Sequence, residues 1–279
     1  MRYGTIVVCG GGCYGGYYVR QLARARSAGV MSVERIVVVD RDPDCTVAQL
    51  AGAIARADDG AMAQHGWRVR RAGHDDPAAL SGDVYRDLPL GIVTGDWSPF
   101  FDHWFARAID APVDAMRDAV VPSPLMPHLL ADWVAARMRV HRPEQGVQRV
   151  PLTSLPETPW QRTAPDLAHY ASFATWMCPI NCIEPPRCPE TRGPRDWTLP
   201  ASVSRAAMEA ERLGAPYDVV ALFHTTHRLY GVGMFDAADA VRADSALRGA
   251  EGRAALSVLV ASVSHCHGAL AALRTGTAR

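Results

Sequence analysis

The sequence predicts an α/β protein: an N-terminal parallel sheet with its helices, an irregular Cys/Pro-rich connector, and a smaller C-terminal α/β region. Three observations predict it. An apolar run at Thr5–Cys9 is followed by a glycine cluster, a helical stretch and a second apolar run, Arg35–Asp40, which is the order of a βαβ unit. From Pro143 to Pro200 the chain is dense in Pro, Thr, Trp and Arg and loses both helical and strand periodicity. After that, apolar strand-like and helix-like segments return. The expected divisions are therefore 1–142, 143–200 and 201–279.

The elements follow from local pattern. Thr5-Ile-Val-Val-Cys9 is short and rich in β-branched residues, as a buried strand is. Tyr17–Ala28 has Tyr18, Val19, Leu22 and Ala23 or Ala25 on one side, and Gly29 is its expected stop. Val47–Ala57 reads as helix, Trp67–Arg70 and Leu90–Thr94 as strands. Phe100, Phe101, Trp104, Phe105, Ala108 and Ile109 recur at helical spacing, Ala119–Val121 is a short strand, and Leu129–Met138 is a helix. In the last region, Val203–Leu213 and Asp236–Leu247 read as helices. Asp218–Phe223, Arg228–Phe235 and Leu256–Val263 read as strands.

Composition narrows the function. Lys plus Arg and Asp plus Glu are 29 each, so the net charge is zero, and a neutral chain lacks the basic footprint of a nucleic-acid or anionic-membrane binder. All 29 basic residues are Arg. Without Lys there is no Schiff-base lysine, no pyridoxal-phosphate anchor and no Walker-type phosphate lysine. No stretch approaches eighteen apolar residues, so no membrane span or signal peptide is expected. The seven Cys are odd in number and unevenly placed, which fits a cytoplasmic setting.

Gly10, Gly12 and Gly15 form G-x-G-x-x-G between a strand and a helix start. In such a turn the first glycine permits the tight bend, the second lets the backbone approach a pyrophosphate, and the third lets helix and strand pack closely. The helix N-terminus offers free N–H groups to the phosphates. Asp40 closes the second strand, where a carboxylate can accept ribose hydroxyls; the spacing from Gly15 is longer than the usual value of about 20 residues. This segment resembles the Rossmann dinucleotide-binding superfamily over about the first 60 residues. Ile36–Pro43 is also similar to nucleotide-binding domains of potassium-uptake regulators. The resemblance implies NAD as cofactor, with NADP or FAD as alternatives: Asp40 would repel a 2′-phosphate, whereas Arg41 could approach one. Ligands of open α/β sheets bind at the carboxyl strand ends, which adds Asp96, together with Gly95, Ser98, Ser123 and His128.

Cys178-x3-Cys182-x5-Cys188, with Pro after the first and third, is the most unusual stretch. Three soft thiolates within eleven residues can converge on zinc or an iron–sulfur cluster. A segment without periodicity would gain order from a metal, on the order of 10 kcal/mol for structural zinc. The candidates for a fourth ligand are Cys266 with its His neighbours, and the pair His224 and His227. Cys266 lies within Ser264-His265-Cys266-His267, after one apolar strand, as His224 and His227 lie after another. If those strands are parallel neighbours, their ends form one His/Cys-rich patch.

The expectation is an NAD(P)-dependent oxidoreductase with a thiolate-ligated metal centre facing the nucleotide cleft. Its catalytic candidates are His224, His227, His265 and His267, since imidazoles titrate near neutral pH. The partners would be a small-molecule substrate or a redox partner protein, with oligomeric state left open. The alternative is a non-catalytic nucleotide-binding or redox-sensing module with a structural metal. A third reading, covalent catalysis by Cys266 on an aldehyde, ranks below both, because adjacent residues on a strand point to opposite faces.

Overall fold

The computed structural model describes residues 1–50, 53–54, 68–72, 88–124, 126, 128–178 and 182–277. The fold is α/β, and the described residues form two compact units: 1–125 with 228–238, and 126–227 with 239–279.

In the first unit the elements run β1 (Arg2–Cys9), α1 (Cys13–Ser27), β2 (Ser32–Asp40), α2 (Thr46–Leu50), β3 (Ala53–Ile54) and β4 (Arg68–Ala72). They continue with β5 (Leu90–Thr94), α3 (Trp97–Asp110), α4 (Pro112–Ala115) and β6 (Ala119–Val121). Strand β1 pairs in parallel with β2 and β6, and β2 in parallel with β5. The parallel strands thus lie in the order β5-β2-β1-β6, which is the 3-2-1-4 order of a doubly wound sheet. Antiparallel strands flank this core: β4 and β3 beyond β5, and β12 (Val232–Asp236) beyond β6, with β11 (Thr226–Leu229) outermost. A two-residue turn, Tyr230-Gly231, joins β11 to β12 with both residues at positive φ, as a strongly twisted hairpin requires.

The sequence explains the centre of this sheet. Seven of the eight residues of β1 are buried, as expected of a strand covered on both faces. Helix α1 buries Val19, Leu22, Ala23 and Ala25, and Gly29 follows its end at φ +70°. Helix α3 buries Phe100, Phe101, Trp104, Phe105 and Ala108, the series that its periodicity indicates. The helix expected over Val47–Ala57 is seen only at Thr46–Leu50, and Ala53–Ile54 is strand instead. Residues 51, 52 and 55–57, and Trp67 of the expected strand, lie outside the described residues.

The second unit contains α5 (Leu129–His141), β7 (Gln145–Val150), β8 (Trp160–Thr163), β9 (His169–Ser172), α6 (Leu199–Arg212) and β10 (Val219–His224). After the β11–β12 hairpin come α7 (Ala237–Gly249), β13 (Ser257–Val263) and β14 (His267–Thr277). Its sheet has the order β10-β13-β14-β9-β8, and β7 also pairs with β14. Strands β10 and β13 are parallel, with His224 opposite Val263. The β13–β14, β14–β7, β14–β9 and β8–β9 pairings are antiparallel. Leu199 and Val203 of α6 pack with Leu259, Ala261, Val263 and Leu270 in its core.

The segment 143–200 is therefore not a free-standing connector between two regions. It supplies β7, β8 and β9 to the sheet of the second unit. The first unit in turn takes back the hairpin near 230, because β12 pairs with β6, Phe235 opposite Val120. Among the described residues no helix is long and apolar enough to cross a membrane.

Candidate functional site

The first candidate site is the glycine turn after β1. Gly10 has φ +92°, a backbone that side-chain-bearing residues rarely adopt, and its N–H donates to the Val39 carbonyl at 2.8 Å. Gly12 is the N-cap of α1, with no side-chain cap and no acid in the first turn. A Cβ at Gly12 would meet no atom within 4 Å, whereas one at Gly15 would fall 1.9 Å from the Gly10 carbonyl oxygen. The three glycines thus do three different things: one bends, one leaves open space before a helix N-terminus, and one permits close packing.

Asp40 is fixed at the end of β2. Its Oδ2 accepts from the Gly11 N–H at 2.6 Å and its Oδ1 from the Asp42 N–H at 2.9 Å. Each carboxylate oxygen keeps further acceptor capacity for a hydroxyl. The Trp97 indole donates to the Val39 carbonyl at 2.8 Å, and its ring borders Gly10. Asp96 follows the end of β5 and pairs with Arg41 at 3.0 Å, both side chains exposed. Ser123 is buried, and its backbone N–H points at the Cys9 sulfur. Burial dominates there and pushes the Cys9 thiol up to about 12, so Cys9 is an inert core residue. His128 falls in the second unit.

The second candidate site lies wholly within the second unit. The parallel pairing of β10 with β13 brings the ends of these strands to one edge, as the sequence suggests. The β13–β14 turn is tight. The Ser264 N–H donates to the His267 carbonyl at 2.8 Å, and a Cβ at Gly268 would lie 2.5 Å from the Ser262 carbonyl oxygen. At its centre is Glu184, which sequence reasoning missed. Its Oε1 accepts the His265 backbone N–H at 3.1 Å, and its Oε2 pairs with His227 Nδ1 at 3.0 Å. Burial raises its pKa, but His227, Ser264 and the charge of His265 outweigh that and hold the carboxyl below its usual range. Glu184 sits at φ +49°, a conformation a non-glycine residue adopts only where its surroundings demand it. His267 lies in the field of both Glu184 and His227. His224, last in β10, is half-buried.

The thiols adjoin this carboxylate. The Glu184 N–H approaches the Cys182 sulfur at 3.4 Å. Cys178 feels the charges of Cys182 and Cys188, and Cys266 feels those of Cys178 and Glu184. The four cysteines expected to act together therefore share one neighbourhood, and all are free thiols. Arg195 stands among them. Its Nη1 donates to Cys266 Sγ, while its Nε and backbone N–H are held by the carbonyls of Pro185 and Pro186 at 3.0 and 2.7 Å. Burial raises the Cys266 pKa against the opposing Trp197 indole and Arg195. At Cys188 the balance is reversed. Burial opposes ionisation, but the N–H groups of Thr191 and Glu190, the Thr191 hydroxyl and Arg195 together lower the pKa. Among the described residues, no three His, Cys, Asp or Glu side chains stand close enough together to hold a single metal ion. The Cys266 sulfur accepts from Arg195 rather than from a histidine, which leaves covalent Cys–His catalysis without a geometric basis.

These features define an α/β protein with a G-x-G-x-x-G turn in one unit and a group of thiol, carboxylate and histidine side chains in the other. A family model described as "Uncharacterized protein, C-terminal domain" matches residues 130–276, just over half of the chain. The chain belongs to this family, AF_1314_C. No curated protein and no solved structure matches it.

Proposed function

We propose that the chain is an NAD(P)-dependent oxidoreductase whose second unit carries a thiolate-ligated centre. The observation that supports it most is the division of labour at Gly10, Gly12 and Gly15 inside a sheet of 3-2-1-4 order. Gly12 and the first turn of α1 would take the pyrophosphate, and Asp40 the adenosine ribose. Asp40 favours NAD over NADP, because a carboxylate held by two backbone N–H groups repels a 2′-phosphate. Arg41, engaged by Asp96, is drawn from the role of phosphate ligand. A bound nicotinamide supplies hydride transfer. His227, whose Nδ1 lies 3.0 Å from Glu184 Oε2, is the candidate in the second unit to move a proton. The free state of all seven cysteines agrees with a cytoplasmic setting.

The test is calorimetry with NAD, NADP and FAD on the wild-type chain and on Gly12→Ala. The new methyl group has open space, so Gly12→Ala should keep the wild-type melting temperature and lose dinucleotide affinity by at least about tenfold, equivalent to roughly 1.4 kcal/mol. Asp40→Ala should weaken NAD more than FAD. Unchanged affinity in both variants would refute the site. A regulatory, redox-sensing reading is favoured by one observation, the gathering of four free thiols. Dinucleotide binding without turnover of any hydride donor or acceptor would select it.

A further inference from the structure

We propose that Trp97 is the stacking platform for the adenine base of the bound dinucleotide. This rests on the nucleotide reading of the glycine turn, and all of the residues concerned belong to the first unit.

The ring is held rigidly. Strand β5 ends at Thr94, and the chain just beyond it is tied to the end of β2. The Gly95 N–H donates to the Asp40 carbonyl at 2.9 Å, and the Trp97 indole N–H to the Val39 carbonyl at 2.8 Å. That same Val39 carbonyl takes the Gly10 N–H at 2.8 Å, so one acceptor joins the indole to the glycine turn. The six-membered ring also meets Gly10 directly. A Cβ at Gly10 would lie 3.3 Å from Trp97 Cζ2 and 3.9 Å from Cη2.

The remaining aromatic side chains of α3 are packed into the core. Phe100, Phe101, Trp104 and Phe105 are buried. Phe100 stacks on Trp104, Phe101 stacks on Phe105, and Arg35 and Arg107 stand over the Trp104 ring. Trp97 is only half-buried, and among the described residues it joins none of these stacks. Its one polar group is turned back onto the main chain. An indole fixed in this way offers π surface to a flat partner.

Its place in the sheet selects the adenine. Asp40, the proposed ribose ligand, is the residue after the shared Val39 acceptor. A ribose carries its base on one side and its phosphates on the other. With the phosphates at Gly12, Trp97 is the ring available to the base. The neighbouring charges, Arg41 and Asp96, pair with one another at 3.0 Å, which suits an uncharged base. Stacking of a base on an aromatic side chain contributes about tenfold or more in affinity.

The experiment titrates the full chain with NAD and with AMP, followed by calorimetry and by tryptophan fluorescence, in the wild type, Trp97→Phe and Trp97→Leu. Both ligands should quench the wild-type fluorescence, and the quench should vanish in Trp97→Phe although six other tryptophans remain among the seven of the chain. Phe and Leu both lose the bond to Val39, so the difference between the two variants isolates the ring. Trp97→Phe should bind about tenfold more tightly than Trp97→Leu. A purely structural role would weaken both alike. Equal affinity in the two variants, or a quench that persists in Trp97→Phe, overturns the platform and leaves the nucleotide reading standing. Where the variants fail to fold, proton nuclear magnetic resonance of AMP with the wild type decides. The adenine H2 and H8 resonances should move upfield in the ring current of the indole, and unmoved resonances in bound AMP overturn the platform. A wild type that binds neither ligand overturns the nucleotide reading, and the platform with it.

Discussion

Gly15→Ala is expected to lose both stability and dinucleotide binding, unlike its neighbour Gly12→Ala. The new Cβ would lie 1.9 Å from the Gly10 carbonyl oxygen and 2.9 Å from the Gly10 carbonyl carbon. Both are backbone atoms, so no rotamer change relieves the clash. Either α1 must move off β1 or the Gly10 turn must open. Helix α1 buries Val19, Leu22, Ala23 and Ala25 against the sheet, so moving it loosens packing along its length. Overpacking of this kind costs about 3 kcal/mol. For a unit of this size that corresponds to a fall in melting temperature of roughly 10 °C. Opening the Gly10 turn would also displace the Gly11 N–H from Asp40 and the Gly11 carbonyl from the Val47 N–H, bonds of 2.6 and 2.8 Å. Calorimetric melting of the two variants side by side checks this. If Gly15→Ala melts with the wild type, the close approach of α1 to the turn is not real.

The same contrast shows why part of the molecule was legible in the sequence. Strands β1, β2, β5, β6 and β13 contain continuous apolar runs, because strands buried on both faces tolerate little else, and β10, at the end of its sheet, is apolar although its burial alternates. Their neighbours carried no such mark. Strand β14 reads His-Gly-Ala-Leu-Ala-Ala-Leu, a composition with weak strand preference. It is a strand because it lies between β13 and the pair β7 and β9, so tertiary pairing overrides local preference. Strands β7 and β8 are half-buried or exposed and show no apolar alternation to read. The return of residues 228–238 to the first sheet depends on pairing across more than a hundred residues.

The candidate site divides in the same way. Its cysteines and histidines were legible from residue type and spacing, and β10 and β13 were legible as strands from their apolar runs, but their parallel pairing was not. Glu184, Arg195 and Thr191 were not. One carboxylate, one guanidinium and one hydroxyl in a Pro-rich segment carry no periodic signal. What distinguishes them is the positive φ of Glu184, the carbonyl anchors of Arg195 and the loop closed around Cys188. These properties belong to the folded chain.

Asp244→Asn is expected to destabilise the second unit severely without altering its thiol cluster. Asp244, in α7, is only 1% exposed, yet its carboxylate binds Arg137 Nε at 2.7 Å and His141 Nε2 at 2.8 Å, both from α5. A third contact, to Arg248 at 3.2 Å, is more exposed and contributes less. Burial raises the pKa of Asp244, but the hydrogen bonds and charges of Arg137 and His141 prevail and lower it. Removing one partner from a buried ion pair leaves the other charge uncompensated, at a cost of about 3–5 kcal/mol. The melting temperature of the second unit should fall by roughly 10 °C. The pH dependence has a definite sign. A carboxylate whose folded pKa lies below its unfolded value stabilises fully above the unfolded value, near 4, and loses that contribution as pH falls through the folded pKa. The wild type should therefore lose stability steeply below about pH 4. Asp244→Asn, lacking the titrating group, should start lower and fall less steeply over that range. Denaturant melts of both proteins from neutral to acid pH would show it, and parallel curves would mean that the Asp244 network contributes nothing to the acid limb.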